Sequence, residues 1–204
     1  MDKFKKLFYC NKKIMVFLFG IFLISVIFGS ILPLFLNSSD KKLITEYLSN
    51  FVSSINDYNY SSLFFNGLFS NIGFLIVIFI LGVSIVGVFA VIFLFFLKGF
   101  ILGFSVSSII INYGFKGILF GFVYLFPHQI INMFVYCVLT CFSLSFSVKF
   151  IMFLFKKYDF NIRSSFKKYF KVLCFSSCVV LACILYEAFL WPKLLIFIFN
   201  LLGL

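Results

Sequence analysis

The stretch GILFGFVYLFPHQIINMFVYCVLTCFSLSFSV, residues 117–148, contains no Asp, Glu, Lys or Arg. As one straight helix it would be about 48 Å long, whereas the hydrocarbon core of a bilayer is about 30 Å thick. Pro127 removes a helical hydrogen bond and clashes with the preceding turn, so it is the natural place for a break. We therefore predict a half-length helix over residues 117–126 and a full transmembrane helix from about residue 130 to 155.

The composition of the whole chain places this stretch in a membrane protein. Of 204 residues, 64% are apolar, 23% are aromatic and only 11% are charged, and the mean hydropathy is +1.20. A soluble domain is roughly half apolar and has no means of covering so much apolar surface. We predict an all-α, polytopic integral membrane protein with a single helical membrane domain over residues 1–204.

Other apolar runs predict the remaining spans. The first covers residues 14–36 behind a lysine cluster and has no cleavage-like site after it, so we interpret it as an uncleaved signal anchor. Residues 72–97 form the second predicted span, residues 99–111 a short third span or half of a hairpin, and residues 172–190 the last. The closing residues, 194–204, are too few to cross and are expected either to lie in the interface or to re-enter the membrane. About five crossings result.

The basic residues predict the orientation, because positively charged loops stay in the cytoplasm. With a cytoplasmic N-terminus and an extracytoplasmic C-terminus, the inner face collects thirteen of seventeen basic residues, including a basic loop over residues 156–171. These thirteen are Lys3, Lys5, Lys6, Lys12, Lys13, Lys98, Lys149, Lys156, Lys157, Arg163, Lys167, Lys168 and Lys171. The outer face keeps four basic and four acidic residues, namely Lys41, Lys42, Lys116, Lys193, Asp40, Glu46, Asp57 and Glu187. The topology and attraction to anionic lipid then account for the net charge of +11. The charge therefore gives no separate reason to expect nucleic-acid binding.

An amphipathic helix is predicted in the outer loop, residues 37–71. Apolar residues recur there at helical spacing behind a possible Asp40 cap. Its apolar face must meet lipid headgroups, the rest of the domain or a protein partner. The candidate partner-binding residues are Leu43, Tyr47, Leu48, Phe51 and Ile55.

Glycines at four-residue spacing predict close helix packing. Gly99 with Gly103, and Gly117 with Gly121, would each let another backbone approach, and Gly82 and Gly87 in the predicted second span are candidates for the matching surface.

Polar residues cluster at the predicted break. Pro127, His128, Gln129 and Asn132 lie together there, and Glu187 is the one carboxylate inside or beside a predicted span. A structural role would satisfy the freed backbone groups and fasten the half-helix to its neighbours, and we predict that His128→Asn is tolerated. Alternatively, a broken helix with polar residues at mid-depth is how many carriers form a binding site.

The sequence gives little support for an enzyme or a metal-binding protein. His128 is the one histidine, no Gly-x-Ser-Gly turn accompanies it, and paired-carboxylate and zinc signatures are absent. Cys137 with Cys141, and Cys174 with Cys178, share helix faces but lack other ligands at suitable spacing, so small apolar packing is the simpler interpretation. We expect no catalytic residues, no cofactor, no metal and no disulfide framework.

The order of motifs resembles the stage II sporulation protein M family of endospore-forming bacteria. The pattern runs from Asn71 through Leu-Gly-x-Ser-x-x-Gly, Leu-Lys-Gly-Phe-x-x-Gly-Phe, a Gly-x-x-Gly turn and a Pro-His break, to Glu-Ala-x-x-x-Pro near the end. These motifs fall on Leu81, Gly82, Ser84 and Gly87; on Leu97, Lys98, Gly99, Phe100, Gly103 and Phe104; on Gly114 and Gly117; on Pro127 and His128; and on Glu187, Ala188 and Pro192. Val88 stands where relatives often have proline, and a second proline downstream of the break is missing.

The resemblance implies a non-enzymatic membrane scaffold for forespore engulfment. It would sit at the sporulation septum and the engulfing mother-cell membrane and hold extracytoplasmic cell-wall hydrolases similar to sporulation proteins D and P, which remodel septal peptidoglycan. Membrane lipid is the other expected partner, and no small-molecule substrate is expected. A transport-associated or channel-like membrane subunit is the alternative, because relatives outside spore-forming bacteria occur in other contexts.

Overall fold

A computed structural model describes residues 12–53, 60–84, 87–125, 128–155 and 161–194. Within these residues the chain forms seven α-helices and no β-strand, which confirms the predicted all-α class. The helices are α1 (Lys12–Phe35), α2 (Ser38–Ser53), α3 (Tyr60–Gly67), α4 (Gly73–Val83), α5 (Gly87–Leu125), α6 (His128–Leu154) and α7 (Ile162–Phe189). A π-helical turn, Leu68–Ile72, joins α3 to α4.

Five stretches of the described chain are long and apolar enough to span a membrane. They are Lys12–Phe35, Ser61–Val83, Gly87–Leu119, His128–Leu154 and Ile162–Phe189. The number agrees with the prediction, and the protein is a multi-pass membrane protein.

The second and third spans do not have their predicted bounds. The second span begins at Ser61 and ends at Val83, after which Ser84 adopts an extended backbone with ψ 149°. The third span starts at Gly87 and continues without a break through residues 98 and 99. The prediction of one span over residues 72–97 is wrong because apolar side chains continue across the turn. Hydropathy measures transfer into lipid and therefore does not locate a tight turn between two apolar helices.

Lys98 consequently lies inside the third span and not in a loop. The expected inner set keeps its other twelve basic residues, and the orientation of the termini stays a prediction. A lysine twelve positions into a membrane helix is costly unless its ammonium has partners or water. The surroundings of Lys98 are therefore a candidate functional site.

The half-length helix before the fourth span is present, as predicted. Gly114, with φ 57° and ψ −132°, reverses the chain inside α5. A side chain at Gly117 would collide with the backbone of Ile109 and Ile110, and one at Gly121 would touch Val106, so residues 115–125 fold back along the preceding turns of α5. The fourth span then begins at His128.

Two predicted loops are largely helical. Of the outer loop over residues 37–71, α2, α3 and most of the π-helical turn are helix, and the second span already starts within it. Of the basic loop over residues 156–171, the part from Ile162 onward forms the first turns of α7, which Asn161 caps by accepting a 3.1 Å hydrogen bond from the Ser164 backbone N–H. Lysines and arginines favour helix as well as interface, so charge alone does not mark the helix start.

Helices α1 and α5 approach each other closely along their backbones. An added Cβ at Gly29 would run into the Phe100 backbone, one at Gly103 into the Val26 backbone, and one at Gly99 into the Ser25 side chain. Ser107 Oγ donates a 2.7 Å hydrogen bond to the Ser30 carbonyl across the same contact. The surface that matches the Gly99 and Gly103 ridge is therefore α1, and not the second span as expected.

Helices α4, α6 and α7 form a second tight contact. A side chain at Gly82 would strike Ser143 of α6 and Tyr169 of α7. Ser147 donates a hydrogen bond to the Gly82 carbonyl, and the Tyr169 hydroxyl lies 3.2 Å from the carbonyl oxygen of Ile78. These side chains bond carbonyls near the C-terminal end of α4, where a helix lacks its own donors and lipid offers none.

Candidate functional site

A polar cavity of about 310 Å³ opens within the membrane-spanning helices. Five elements form its wall: α3, the π-helical turn, α5, α6 and α7. The lining residues are Leu63, Asn66, Gly67, Ser70, Asn71, Lys98, Ile101, Leu102, Ser105, Gln129, Met133 and Glu187. Polar residues inside a membrane domain are costly and usually functional, so this cavity is the strongest candidate site in the described chain.

The π-helical turn gives the cavity one of its polar edges. A π-turn inserts an extra residue into a helix and is frequent at functional sites, and here it carries Ser70 and Asn71. The hydroxyl of Tyr136 donates a 2.8 Å hydrogen bond to Oδ1 of Asn71, which ties the turn to α6. With its carbonyl oxygen engaged, Asn71 keeps two N–H donors for another partner.

Lys98 supplies the positive charge of the cavity. Its Nζ lies 5.1 Å from the ring centroid of Phe74 and 5.6 Å from that of Tyr136. Both distances allow cation–π attraction, which stabilises a desolvated ammonium by about 2 kcal/mol. The rings offset part of the cost of burying the ammonium, but they do not replace the oxygen acceptors that its three N–H groups prefer.

Glu187 supplies the negative charge. Its Oε2 is buried and has no hydrogen-bond partner among the described residues, and its charge interacts electrostatically with that of Lys98. Glu187, which the charge count assigns to the outer face, lies in the last turn of α7 and lines the cavity; the side of the membrane on which this end of α7 lies stays a prediction. A carboxylate oxygen without a donor in this setting is costly.

The predicted polar cluster divides into two places. Gln129 lines the cavity with Glu187, whereas His128 and Asn132 are each 1% exposed and lie deeper. The ring of His128 packs 6.1 Å from that of Tyr186 and 6.0 Å from that of Trp191, measured between centroids. Pro127 lies outside the described residues.

The side chains of His128 and Asn132 do not fasten the break through hydrogen bonds within the described chain. Nδ1 of His128 and both terminal atoms of Asn132 are buried without such a partner. What the structure does show for His128 is aromatic packing against α7 and the residues that follow it.

The candidate partner-binding helix α2 lies beside the end of α5. Thr45 Oγ1 and Asn112 Oδ1 are 2.6 Å apart, and Lys41 Nζ donates a 3.2 Å hydrogen bond to the Leu34 carbonyl. Leu43 and Tyr47 are 64% and 74% exposed. Of the other residues predicted for this surface, the side chains of Leu48 and Phe51, and all of Ile55, lie outside the described part of the chain.

The six glycines predicted for helix packing fall into four groups. Gly99 and Gly103 meet α1, and Gly82 meets α6 and α7, as described above. Gly87 follows the turn between the second and third spans, where an added Cβ would strike the Leu81 carbonyl. Gly117 and Gly121 lie against the preceding part of α5, and the contact at Gly121, 3.6 Å, is an ordinary one.

Sequence reasoning does not place Lys98 and Asn71 in a site. Both belong to the linked motifs, but hydropathy assigns Lys98 to a loop and Asn71 to the position before a span. One available signal is that Lys98 is the single charged residue between Asp57 and Lys116. Such isolation indicates a charge retained inside the membrane.

The chemistry open to the cavity is recognition of a polar group. It offers one cation, one anion and several amide or hydroxyl groups. No group of three or more His, Cys, Asp or Glu side chains that could hold a metal ion occurs among the described residues. The cavity thus brings together groups that can bind a polar ligand.

Comparison with known proteins gives the family. No curated protein and no solved structure matches the chain. The family description of stage II sporulation protein M matches residues 15–192, which include nearly all of the first span and the whole of the other four. The chain belongs to the stage II sporulation protein M family.

Proposed function

We propose that this protein is a membrane scaffold that recruits extracytoplasmic cell-wall hydrolases to the sporulation septum during forespore engulfment. Family membership makes it a sporulation-related membrane protein. The hydrolases are of the kind represented by sporulation proteins D and P, and the protein itself carries no catalytic step. In this proposal the N-terminus is cytoplasmic, and α2 and the C-terminus face the cell wall.

The observation that supports recruitment is the exposed apolar side of α2. Leu43 and Tyr47 lie four residues apart, on one face of the helix, and both are mostly exposed. The contact between Thr45 and Asn112 holds α2 against α5, so this face is presented by a fixed element. A partner anchored in the same membrane would meet it at the interface, where apolar contact area contributes roughly 25 cal/mol per Å² buried.

The experiment is co-purification of the hydrolases with variants of α2. Leu43→Glu combined with Tyr47→Glu is expected to reduce the recovered hydrolase at least tenfold, because charges in a desolvated contact cost about 1.4 kcal/mol or more. Charged substitutions at Leu48 and Phe51 are expected to act in the same direction. Lys42→Glu changes the charge by the same amount at an exposed position of the same helix, about 100° round from Leu43 and away from the apolar face, and should leave recovery unchanged.

Protein levels and membrane insertion are measured in parallel. Unchanged co-purification by the Leu43 and Tyr47 variant at normal protein level would contradict recruitment through α2. Loss of both hydrolases from the septum in a strain that lacks this protein, with engulfment arrested, is the result expected if the scaffold role is correct.

A further inference from the structure

We infer that the cavity between α3 and α5 binds a net-neutral polar group that carries an anion and an ammonium together. Lys98 would hold the anion and Glu187 the ammonium. This site is separate from the exposed face of α2, and the inference does not depend on hydrolase recruitment.

Glu187 and Lys98 have hydrogen-bonding capacity that the described residues do not use. Oε2 of Glu187 is buried without a hydrogen-bond partner in the described chain, and Lys98 Nζ lies over the faces of two aromatic rings. A structural ion pair would bring the ammonium and carboxylate together, since each satisfies the other at the lowest cost. Here the charged groups instead border a shared volume of about 310 Å³.

The charges that line the cavity favour a ligand without net charge. The cavity holds one positive and one negative side chain, and its walls are otherwise uncharged. A ligand with net charge would leave an uncompensated charge in a low-dielectric region, which is heavily penalised. A ligand with both charges meets each protein charge with its opposite and leaves the site neutral.

The neutral polar groups that line the cavity suit a ligand with both charges. Asn71 accepts a hydrogen bond from Tyr136 through Oδ1 and so keeps N–H donors that suit an anion. Ser105 donates its hydroxyl hydrogen to the Ile101 carbonyl over 2.9 Å, which leaves its oxygen as an acceptor. Gln129 adds an amide that can donate and accept. Donors and acceptors for a group of mixed charge are therefore both present.

The opening of the cavity tells how a ligand would arrive. Asn66, Ser70 and Ile101 line it and are exposed side chains of the second and third spans. The exposed side of a membrane span faces lipid, so the cavity opens laterally between two helices. A phospholipid headgroup with a phosphate and an ammonium has the required chemistry, and so does a free zwitterion.

The test measures thermal unfolding of the purified, delipidated full chain with added ligands. Phosphatidylethanolamine and phosphatidylglycerol with the same acyl chains are compared, and soluble glycerophosphoethanolamine, whose phosphodiester carries a single negative charge, forms a third arm. We expect phosphatidylethanolamine to raise Tm and phosphatidylglycerol to raise it much less. A rise with glycerophosphoethanolamine alone would identify a free zwitterion as the source, and a rise with both zwitterionic compounds would show that the headgroup suffices.

Variants separate a ligand site from a structural charge pair. Lys98→Met with Glu187→Gln removes both charges and leaves no unpaired one, so this chain is expected to fold with an unchanged or higher Tm. It should nevertheless lose at least tenfold in phosphatidylethanolamine affinity, since each charged hydrogen bond is worth about 1.4 kcal/mol or more. Lys42→Met with Glu46→Gln makes the same changes on the exposed helix α2 and should retain full affinity.

Three results would overturn the inference. One is an equal Tm rise with phosphatidylethanolamine and phosphatidylglycerol, and another is no rise with either zwitterionic compound. The third is a Lys98 and Glu187 double variant that unfolds at a lower temperature and keeps its affinity, which would make the two charges a structural pair beside a water-filled cavity.

Discussion

Tyr136 of α6 donates its hydroxyl hydrogen to Oδ1 of Asn71 over 2.8 Å and so joins the fourth span to the π-helical turn of the second. The same ring lies 5.6 Å from Lys98 Nζ and packs edge-on against Phe74, 4.9 Å between centroids. One side chain thus supports the wall of the cavity and its charged group together.

Removing this hydroxyl should loosen the π-helical turn. Tyr136→Phe keeps the ring contacts and loses the hydrogen bond, so we expect the free energy of unfolding to fall by about 1 kcal/mol, as for other hydrogen bonds between membrane helices. Unfolding in mixed micelles measures it. Tyr47→Phe removes a hydroxyl from an exposed ring and should have no effect. Asn71→Leu added to Tyr136→Phe should cost less than the sum of the two single changes.

The contact between α1 and α5 predicts that an added methyl group is harmful at Gly29. Its Cβ would collide with the backbone carbonyl of Phe100, which does not move aside as a flexible side chain does. Gly29→Ala should therefore destabilise the protein by about 1–3 kcal/mol or more. At Gly20, on the same helix, nothing lies within 4 Å of an added Cβ, so Gly20→Ala should be neutral or stabilise by up to about 1 kcal/mol. Equal effects of the two changes would show that α1 does not pack on α5 in this way.

The reversal at Gly114 predicts a backbone effect without crowding. An added Cβ there would meet nothing within 4 Å, yet φ 57° and ψ −132° lie where side chains are rarely accepted. Gly114→Ala should cost about 1–3 kcal/mol, whereas Gly121→Ala, with an ordinary 3.6 Å contact to Val106, should be tolerated. A neutral Gly114→Ala in the same unfolding assay would mean that the half-helix does not fold back.

At His128, a packing role and a hydrogen-bonding role predict opposite effects of the same two substitutions. If its hydrogen bonds matter, His128→Asn is tolerated and His128→Phe is not. Its Nδ1 has no partner among the described residues, and its ring packs between Tyr186 and Trp191. We therefore expect His128→Phe to keep the unfolding temperature within a few degrees and His128→Asn to lower it by more, because the smaller side chain leaves a void. The reverse order would restore the hydrogen-bonding role predicted from the sequence.

Reporter tags test the orientation. A tag in the connector between α6 and α7, within residues 156–160, should report the cytoplasm, and a tag between α1 and α2, near Asn37, should report the outside. The same tag after residue 194 serves as an internal check and should also report the outside. A connector tag that reports the outside would reverse the proposed topology and place α2 away from the cell wall.

Much of this architecture follows from the sequence by itself. The helical class, the five crossings and the break before the fourth span are all predicted from it, because a chain in hydrocarbon must satisfy its backbone internally and proline and glycine interrupt helices locally. The amphipathic segment at α2 is likewise readable from its spacing. The family, too, is carried by linked motifs along the chain.

Only the tertiary structure decided where the charges lie and which helices meet. Every span is strongly apolar, so hydropathy gives each helix the same preference for lipid and does not choose its neighbours. The pairing of Gly29 with Phe100, the turn after Val83 and the placement of Lys98 and Glu187 on one cavity depend on backbone approach and hydrogen bonds that apolarity does not encode. Those contacts turn a lysine expected in a loop into part of the wall of a polar cavity.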